Sequence, residues 1–392
     1  MAYDIEQHPI VCQIGGNSPE ACGHATSVVV EQYGYNEVNL NIDCPSERVS
    51  GKREFGAILM KKAHLAKEIV REMQSNANAT RTTDDGAQIS VKCRIGVDDL
   101  DDLEYAAEFI RTLQSVCQRF YLHARKCVLD GLMNARQNRS VPPLNYPRVY
   151  ELCRMFPDCN FWINGGIKTL EEAKLIAHGK RNSIDDYNNN NEHQQYNQTC
   201  HNVPCDLCNI PNGSCIEPPT IAPNNLRGCM MGRAVIENPC LLHDVDRYYY
   251  GDSSNPCRNR RQVLEQYCQY IEQRYPRNCC IDDGDGRGAI SCSICSDVYG
   301  SPRPTLVTRT SPSNAADNSI RTTPKKIKIT GPVIAKCLKP VQGVFYGIPS
   351  TRVFRRVCDE LGQDSRVRNC GPGYILRRAM QSVPPGILDQ EF

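Results

Sequence analysis

By residue type and position, Cys44 is the side chain of this sequence best placed to do chemistry. It follows Asn39-Leu40-Asn41-Ile42-Asp43, which reads as a strand, and precedes Pro45-Ser46, so it stands at a strand end rather than in a core. A free thiol titrates at about 8.5 and is largely protonated at neutral pH, so it can give a proton to a carbon centre. A nucleophilic role would instead require a neighbour that stabilises the thiolate. The chain has 23 cysteines, and composition alone singles out none of them.

Other candidates stand at comparable places. Lys92 and Arg94 flank Cys93 in Val91-Lys92-Cys93-Arg94-Ile95-Gly96, and alternation along a strand points both to one face. Burying that pair is costly without an anionic or electron-rich partner; on an open edge it would simply be solvated. His123 ends Tyr121-Leu122-His123. A strand-end histidine is commonly a hydrogen-bonded structural residue, but a rim position in a barrel makes it a site candidate. Asn164-Gly165-Gly166 and Gly232-Arg233 each end an apolar run. Either could be an ordinary turn; as the last two of the series they favour a phosphate-bearing cofactor, because glycine lets backbone N–H groups approach an anion. Cys205, Cys208 and Cys215, with His193, Cys200 and His201 nearby, and separately Cys292 and Cys295, could bind zinc. Each is a lone CxxC without its paired second half, and the expectation is no metal.

These residues are carried by a repeating strand-then-helix rhythm. Apolar runs at Ile10–Ile14, Val38–Ile42, Ile89–Ile95, Phe120–His123, Asn160–Ile163 and Gly228–Met231 read as strands. Helical periodicity follows, most clearly over Phe55–Met73, Leu103–Val116 and Leu170–Ala177. Ser18 before Pro19, and the Thr169/Glu172 pair, read as helix starts. The class is α/β with a parallel sheet. Six units would suit an open doubly wound sheet or part of an eight-stranded barrel, and periodicity does not choose between them. Two segments break the rhythm, about 180–226 and about 277–328, and read as partly disordered surface insertions. The last third is helical, including Gln262–Arg274 and Arg352–Leu361.

Of the 392 residues, 40% are hydrophobic and 23% charged, and the net charge is +2. Bulk charge therefore does not suggest a polyanion binder, and a nucleic-acid surface would need local clusters such as Arg352, Arg355 and Arg356 or Arg377 and Arg378. Such runs are also what a solvated helix face looks like. No apolar run approaches a bilayer span and no signal peptide is visible. Cysteines inside periodic segments, such as Cys12, Cys93 and Cys153, suit reduced core thiols and a reducing compartment, the cytoplasm or an organelle.

Taken together, the strings resemble the tRNA-dihydrouridine synthases, and within them the A-type subfamily acting on tRNA positions 20 and 20a in the D-loop. The resemblance runs through Gln13–Gly16, Asn39–Ser46, Val91–Gly96, His123–Lys126, Pro142–Leu144, Asn164–Ala173, Met231–Arg233 and Asn238-Pro239. It continues in Gly347-Ile348-Pro349 with Arg352 and Arg355. It implies a TIM barrel carrying FMN over residues 1–250, then a small helical tRNA-binding domain over 251–392, acting as a monomer. Gln13 and Lys92 would contact the flavin ring; His123, Asn164, Gly165, Gly166, Gly232 and Arg233 would hold its ribityl chain and phosphate. NADPH would be the reductant and Cys44 the proton donor in making 5,6-dihydrouridine. Asn41, Arg136, Arg139, Arg352 and Arg355 would contact tRNA.

The family opens with a strand bearing Ala-Pro-Met and then a second strand, whereas here Met1 falls just before the third. The expectation is a barrel lacking its first two strands, from an incomplete gene in preference to a short isoform. In the lysine-bearing strand a histidine commonly follows the lysine; here Cys93 does. Two other functions fit in outline. One is a flavin-free, inactive tRNA-binding protein or gene fragment; the other is an FMN-dependent small-molecule dehydrogenase of the dihydroorotate or dihydropyrimidine type. Arg352 and Arg355 discriminate against the second, which has no need of them.

Overall fold

The structure is a computed structural model. It describes residues 3, 7–51, 54–79, 87–129, 134–179, 222–276, 294, 298 and 329–392. Most of both insertions, with the CxxC clusters, lies outside the described residues. Two compact units are present, Met1–Met231 and Gly232–Phe392.

The first unit holds six parallel strands: β1 (Val11–Ile14), β2 (Glu37–Ile42), β3 (Gln88–Arg94), β4 (Arg119–His123), β5 (Asn160–Asn164) and β6 (Leu226–Met230). Every strand predicted from an apolar run is present, shifted by at most two residues at either end. Their order in the sheet is the order in the chain, β1 through β6. A doubly wound sheet needs a reversal of strand order, and there is none. Sequential parallel strands with right-handed crossovers place the intervening helices on one face. The arrangement is consistent with a partial TIM barrel; among the described residues β1 and β6 each have one strand neighbour.

Side-chain alternation makes the two faces chemically different. Val38, Leu40 and Ile42 on β2, Val91 and Cys93 on β3, and Phe120 and Leu122 on β4 are almost wholly buried. With Phe161 and Ile163 of β5 they form the apolar outer face, where the Phe120 and Phe161 rings stack at 5.8 Å. One residue along, Tyr121 and Trp162 stack at 4.9 Å on the opposite, inner face. That face carries Glu37, Asn39, Asn41, Ser90, Lys92, Arg94 and His123, a polar stripe at every second position.

The connecting helices are α1 (Pro19–Glu31), α2 (Ala63–Ala79), α3 (Leu103–Leu113), α4 (Tyr146–Met155) and α5 (Leu170–His178). The stretch predicted as one helix over Phe55–Met73 enters instead through a 3-10 segment, Gly56–Lys62, before α2 begins. Starts are fixed chemically: Ser18, Asp102, Asn145 and Thr169 each accept a backbone N–H from three residues on. Each such cap stabilises its helix by about 1 kcal/mol. The Thr169/Glu172 pair is an offset capping box, since the Glu172 carboxylate takes the N–H of Lys168 at 2.6 Å rather than that of Thr169.

The second unit is helical: α6 (Arg233–Glu237), α7 (Arg260–Arg274), α8 (Gly331–Leu338), α9 (Thr351–Gln363), α10 (Gly371–Gln381) and α11 (Pro385–Leu388). Its core gathers Leu264 and Ile271 of α7, Ile334 of α8, Phe354 and Cys358 of α9, and Ile375 and Leu376 of α10. Burying Phe354 and Cys358, four residues apart, leaves Arg352, Arg355 and Arg356 on the exposed side of α9. No helix among the described residues is long and apolar enough to cross a membrane.

Candidate active site

In a sheet of parallel strands followed by helices, functional side chains gather at the C-terminal strand ends. Cys44 lies there, two residues past β2, half-buried and unbridged. Its loop is tightly specified. The Asn41 side-chain oxygen accepts the N–H of Asp43 at 3.0 Å and of Cys44 at 3.1 Å. The Cys44 carbonyl accepts from the Ser50 hydroxyl at 2.7 Å and from the Ala57 N–H at 3.0 Å. Gly56, with φ of 75°, makes the second contact possible: a Cβ there would lie 2.7 Å from the Cys44 oxygen. Cys93, on β3, and Cys117, in the loop before β4, are buried, whereas Cys44 is only half-buried. Burial pushes the Cys93 thiol well up and that of Cys117 to about 12, as inert core groups.

Beside this loop is a buried charge cluster centred on Asp43, which the sequence reading did not single out. Its carboxylate receives Lys92 Nζ at 2.7 Å, Arg94 Nε at 2.8 Å and His123 Nδ1 at 3.1 Å. Register explains the convergence: Asn41 pairs with Lys92, and Arg94 pairs with His123. The Asp43 carboxyl lies well below the usual carboxylate range; burial would raise it, and Lys92, the His123 hydrogen bond and Arg94 outweigh that. Burial lowers His123 to about 4, against the upward pull of Asp43, so the ring is neutral at pH 7. An ionised carboxylate only accepts, so Nδ1 carries the proton and Nε2 is left as an acceptor. The partner that Lys92 and Arg94 require is therefore within the protein. Arg94, 2% exposed, also donates to the carbonyls of Lys126 and Asn138 at 2.9 Å.

The next strand end supplies Asn164, Gly165 and Gly166. Asn164 donates its amide to the Met230 carbonyl at 2.7 Å, tying β5 to β6. Gly165 and Gly166 have φ of 114° and 77°, and the Tyr146 hydroxyl fixes the Gly165 carbonyl at 2.6 Å. A Cβ on Gly165 would stand 2.9 Å from the His123 ring, and one on Gly166 would stand 2.4 Å from Leu144. Backbone thus replaces side chain against His123, as a close-approach turn requires.

The structure therefore brings together Gln13, Asn41, Cys44, Lys92 and His123 at the ends of β1 to β4, with Asn164–Gly166 at the end of β5. Arg136 and Arg139 are exposed on the short turn around Gln137–Arg139, held from below by buried Asn138, whose amide bonds both backbone groups of Val128. Gly232, Arg233, Arg352 and Arg355 belong to the second unit. There Arg233 opens α6, while Arg352 and Arg355 line a cleft of about 750 Å³ with Tyr346, Ile348 and Glu237.

The family model for dihydrouridine synthase matches residues 1–182. A tRNA-dihydrouridine(20/20a) synthase of Vibrio vulnificus is 34% identical over 276 residues, covering 70% of this chain and 67% of that protein. The chain belongs to the dihydrouridine synthase family. Proteins of the same description from Vibrio cholerae and Escherichia coli K12 are each 35% identical over 275 residues, 70% of this chain. The chain spans slightly less than two thirds of their length, 66% and 63%. Within this family member, Asp43, Glu37, Asn39 and Ser90 are the inner-face residues the sequence reading passed over. The signal was available: Glu37-Val38-Asn39-Leu40-Asn41-Ile42 alternates polar with apolar inside a strand flanked by strands on both sides.

Proposed function

We propose that this protein is a tRNA-dihydrouridine synthase, reducing uridine in the D-loop of tRNA to 5,6-dihydrouridine, with its six strands forming part of a (β/α)8 barrel. The observation that carries the reading is the half-buried Cys44 thiol, held by its backbone in a fixed loop directly beside the Lys92–Asp43–His123 cluster. FMN, when bound and reduced by NADPH, supplies the hydride that goes to C6 of the uracil. Cys44 gives its Sγ proton to C5, a step for which a positioned acid is worth about 10²–10⁴-fold.

The inner face suits such a cofactor. Lys92 spends one N–H on Asp43 and keeps two donors for a flavin carbonyl or ring nitrogen. Gln13 adds an exposed amide at the end of β1. The neutral His123 offers Nε2 as an acceptor, which fits a ribityl hydroxyl rather than a phosphate. The Gly165–Gly166 turn leaves its backbone open to the phosphate. Arg136 and Arg139 of the first unit, and Arg352 and Arg355 of the second, are assigned to tRNA phosphates, with Asn41 at the uridine. Turning a uracil out of its stack costs a few kcal/mol, and phosphate contacts offset it without reading sequence.

The test is direct. The purified chain is mixed with FMN, desalted and its visible spectrum taken; dihydrouridine is then counted in a tRNA transcript incubated with NADPH. The expected outcome is retained flavin and product formation, with Cys44→Ala retaining flavin and losing at least about 100-fold in rate. Retained flavin with full activity in Cys44→Ala would remove Cys44 from its role. No retained flavin would overturn the enzyme reading for this chain.

A further inference from the structure

The inner face holds a second polar system, separate from the Asp43 cluster, that runs the length of β2. At its lower end Arg119 donates to Glu37 Oε2 through Nε at 3.1 Å and Nη2 at 2.8 Å, and Arg119 itself lies 4.6 Å over the Trp162 ring. The Ser90 hydroxyl donates to Glu37 Oε1 at 2.6 Å. The Asn39 amide donates to Ser90 Oγ at 2.8 Å, and Gln13 Nε2 donates to Asn39 Oδ1 at 2.8 Å. Asn41 Nδ2 donates to Gln13 Oε1 at 3.3 Å, and Asn41 Oδ1 accepts from Asp43 and Cys44.

Each link fixes the next. A carboxylate can only accept, so Ser90 must donate to Glu37 and can then only accept from Asn39. That turns the Asn39 oxygen toward Gln13, so Gln13 presents its nitrogen there and its oxygen toward Asn41. Asn41 must answer with its nitrogen, which leaves its oxygen facing the N–H groups of Asp43 and Cys44. Those two N–H groups can only donate, so they hold Asn41 in the same sense from the other end, and turning over any one amide would set donor against donor or acceptor against acceptor. A network that is buried at Glu37, Asn39 and Ser90 and anchored at both ends polarises along its length and specifies one arrangement.

We propose that Glu37, roughly 17 Å of strand away from the Cys44 loop, is a positioning residue that, together with the Asp43 and Cys44 N–H groups at the other end, sets the hydrogen-bond polarity of Gln13 and Asn41. Through them it fixes the shape of the loop that presents the Cys44 thiol. In function it deepens the reading given above, because Gln13 is there a flavin contact and Cys44 the proton donor. The geometry itself does not depend on that reading.

The experiment uses the full chain and two readouts. One is the rate of iodoacetamide labelling at Cys44, followed by mass spectrometry of its peptide in flavin-free protein; the other is the dissociation constant for FMN. Glu37→Gln keeps the shape but gives an end group that can either donate or accept. Both readouts are expected to move by about tenfold, the scale of one lost hydrogen bond. The double variant Glu37→Gln/Asn39→Asp moves the acceptor-only group one amide up the chain, where Ser90 and Gln13 must again donate to it. It is expected to return both readouts to within about twofold of the native values. A residue that merely supports packing would show no such rescue, since the second change would add damage.

The proposal is overturned if Glu37→Gln leaves Cys44 labelling at the native rate, or if the double variant is further from native than the single. Should Glu37→Gln not fold, Ser90→Ala is read in its place. It cuts the chain one link later and leaves the Glu37–Arg119 pair intact, and an unchanged labelling rate there also overturns the proposal. If the native chain fails to bind FMN, the flavin reading falls, while the labelling arm still decides the role of Glu37.

Discussion

Arginine works in two contrasting settings in this protein. Arg94, 2% exposed, sits on the inner face of the sheet with its guanidinium shared among Asp43 and the carbonyls of Lys126 and Asn138. Arg352 and Arg355 stand on the exposed side of α9, and the Nε of Arg355 caps the Gln342 carbonyl at 2.7 Å. The first is a structural cation whose partners were taken out of water with it. The second pair keeps its solvation and its remaining donors. The same residue type therefore predicts opposite outcomes on removal: lost fold in one region, lost binding in the other.

The largest expected effect comes from breaking the buried setting. Arg94→Ala leaves two carbonyls without their donor and takes one of two cations from Asp43. Breaking a buried, hydrogen-bonded charge pair costs about 3–5 kcal/mol, a large share of the roughly 5–15 kcal/mol that holds a domain together. Urea unfolding of the full chain should show a destabilisation of that size. A loss under about 1 kcal/mol would mean that the cluster is looser than its distances say.

Acid should weaken the same cluster without any mutation. His123 is held near 4 in the folded protein, against about 6.5 when unfolded. Between those values the unfolded state takes up a proton that the folded state refuses, so stability falls as pH drops from 6.5 to 4. The loss from this one group amounts to about 3 kcal/mol at most. Asp43 extends the trend: its depressed pKa stabilises the fold above the ordinary carboxylate range, and that contribution is lost as pH falls below it. Unfolding midpoints at pH 7 and pH 4.5 should differ, and His123→Asn, which can still donate to Asp43, should flatten the change. An equal pH dependence in that variant would place the acid-sensitive group elsewhere.

How much of this could be read beforehand differs between the two regions. The strands were legible because each apolar run is short and followed by helical periodicity, and Ser18 and Thr169 announce their helices by side-chain chemistry. Cys44, Lys92 and His123 were legible as strand-end residues of the right types. Asp43 was not, although it is Cys44's neighbour, because what makes it central is register. Only the pairing of Asn41 with Lys92 and of Arg94 with His123 brings two cations and a neutral imidazole to one carboxylate. The Glu37 chain was hidden for the same reason, since Gln13, Asn39 and Ser90 meet across three strands. Long-range pairing is what a linear pattern of residue types does not contain. By contrast, the exposed face of α9 was legible almost entirely from local spacing, as Phe354 and Cys358 fall one turn apart, with Arg355 and Arg356 between them and Arg352 two residues before Phe354.

The exposed setting gives the smallest effect on stability and the sharpest separation. Arg352→Ala with Arg355→Ala should change unfolding free energy by no more than about 0.5 kcal/mol each, as exposed substitutions usually do. Any loss beyond that would trace to the Arg355–Gln342 bond, which Arg355→Lys distinguishes because lysine keeps the charge and changes the donor geometry. If these arginines meet tRNA phosphates, the double variant weakens tRNA binding across sequences. It also makes the dependence of log affinity on log salt shallower by roughly one per arginine removed. Lys substitutions should restore most of that slope, because counterion release follows charge. Flavin retention should be untouched in every case, since neither residue is among those assigned to the flavin. An unchanged salt slope in the double variant would return α9 to an ordinary solvated helix face and leave Arg136 and Arg139 to carry the phosphate contacts.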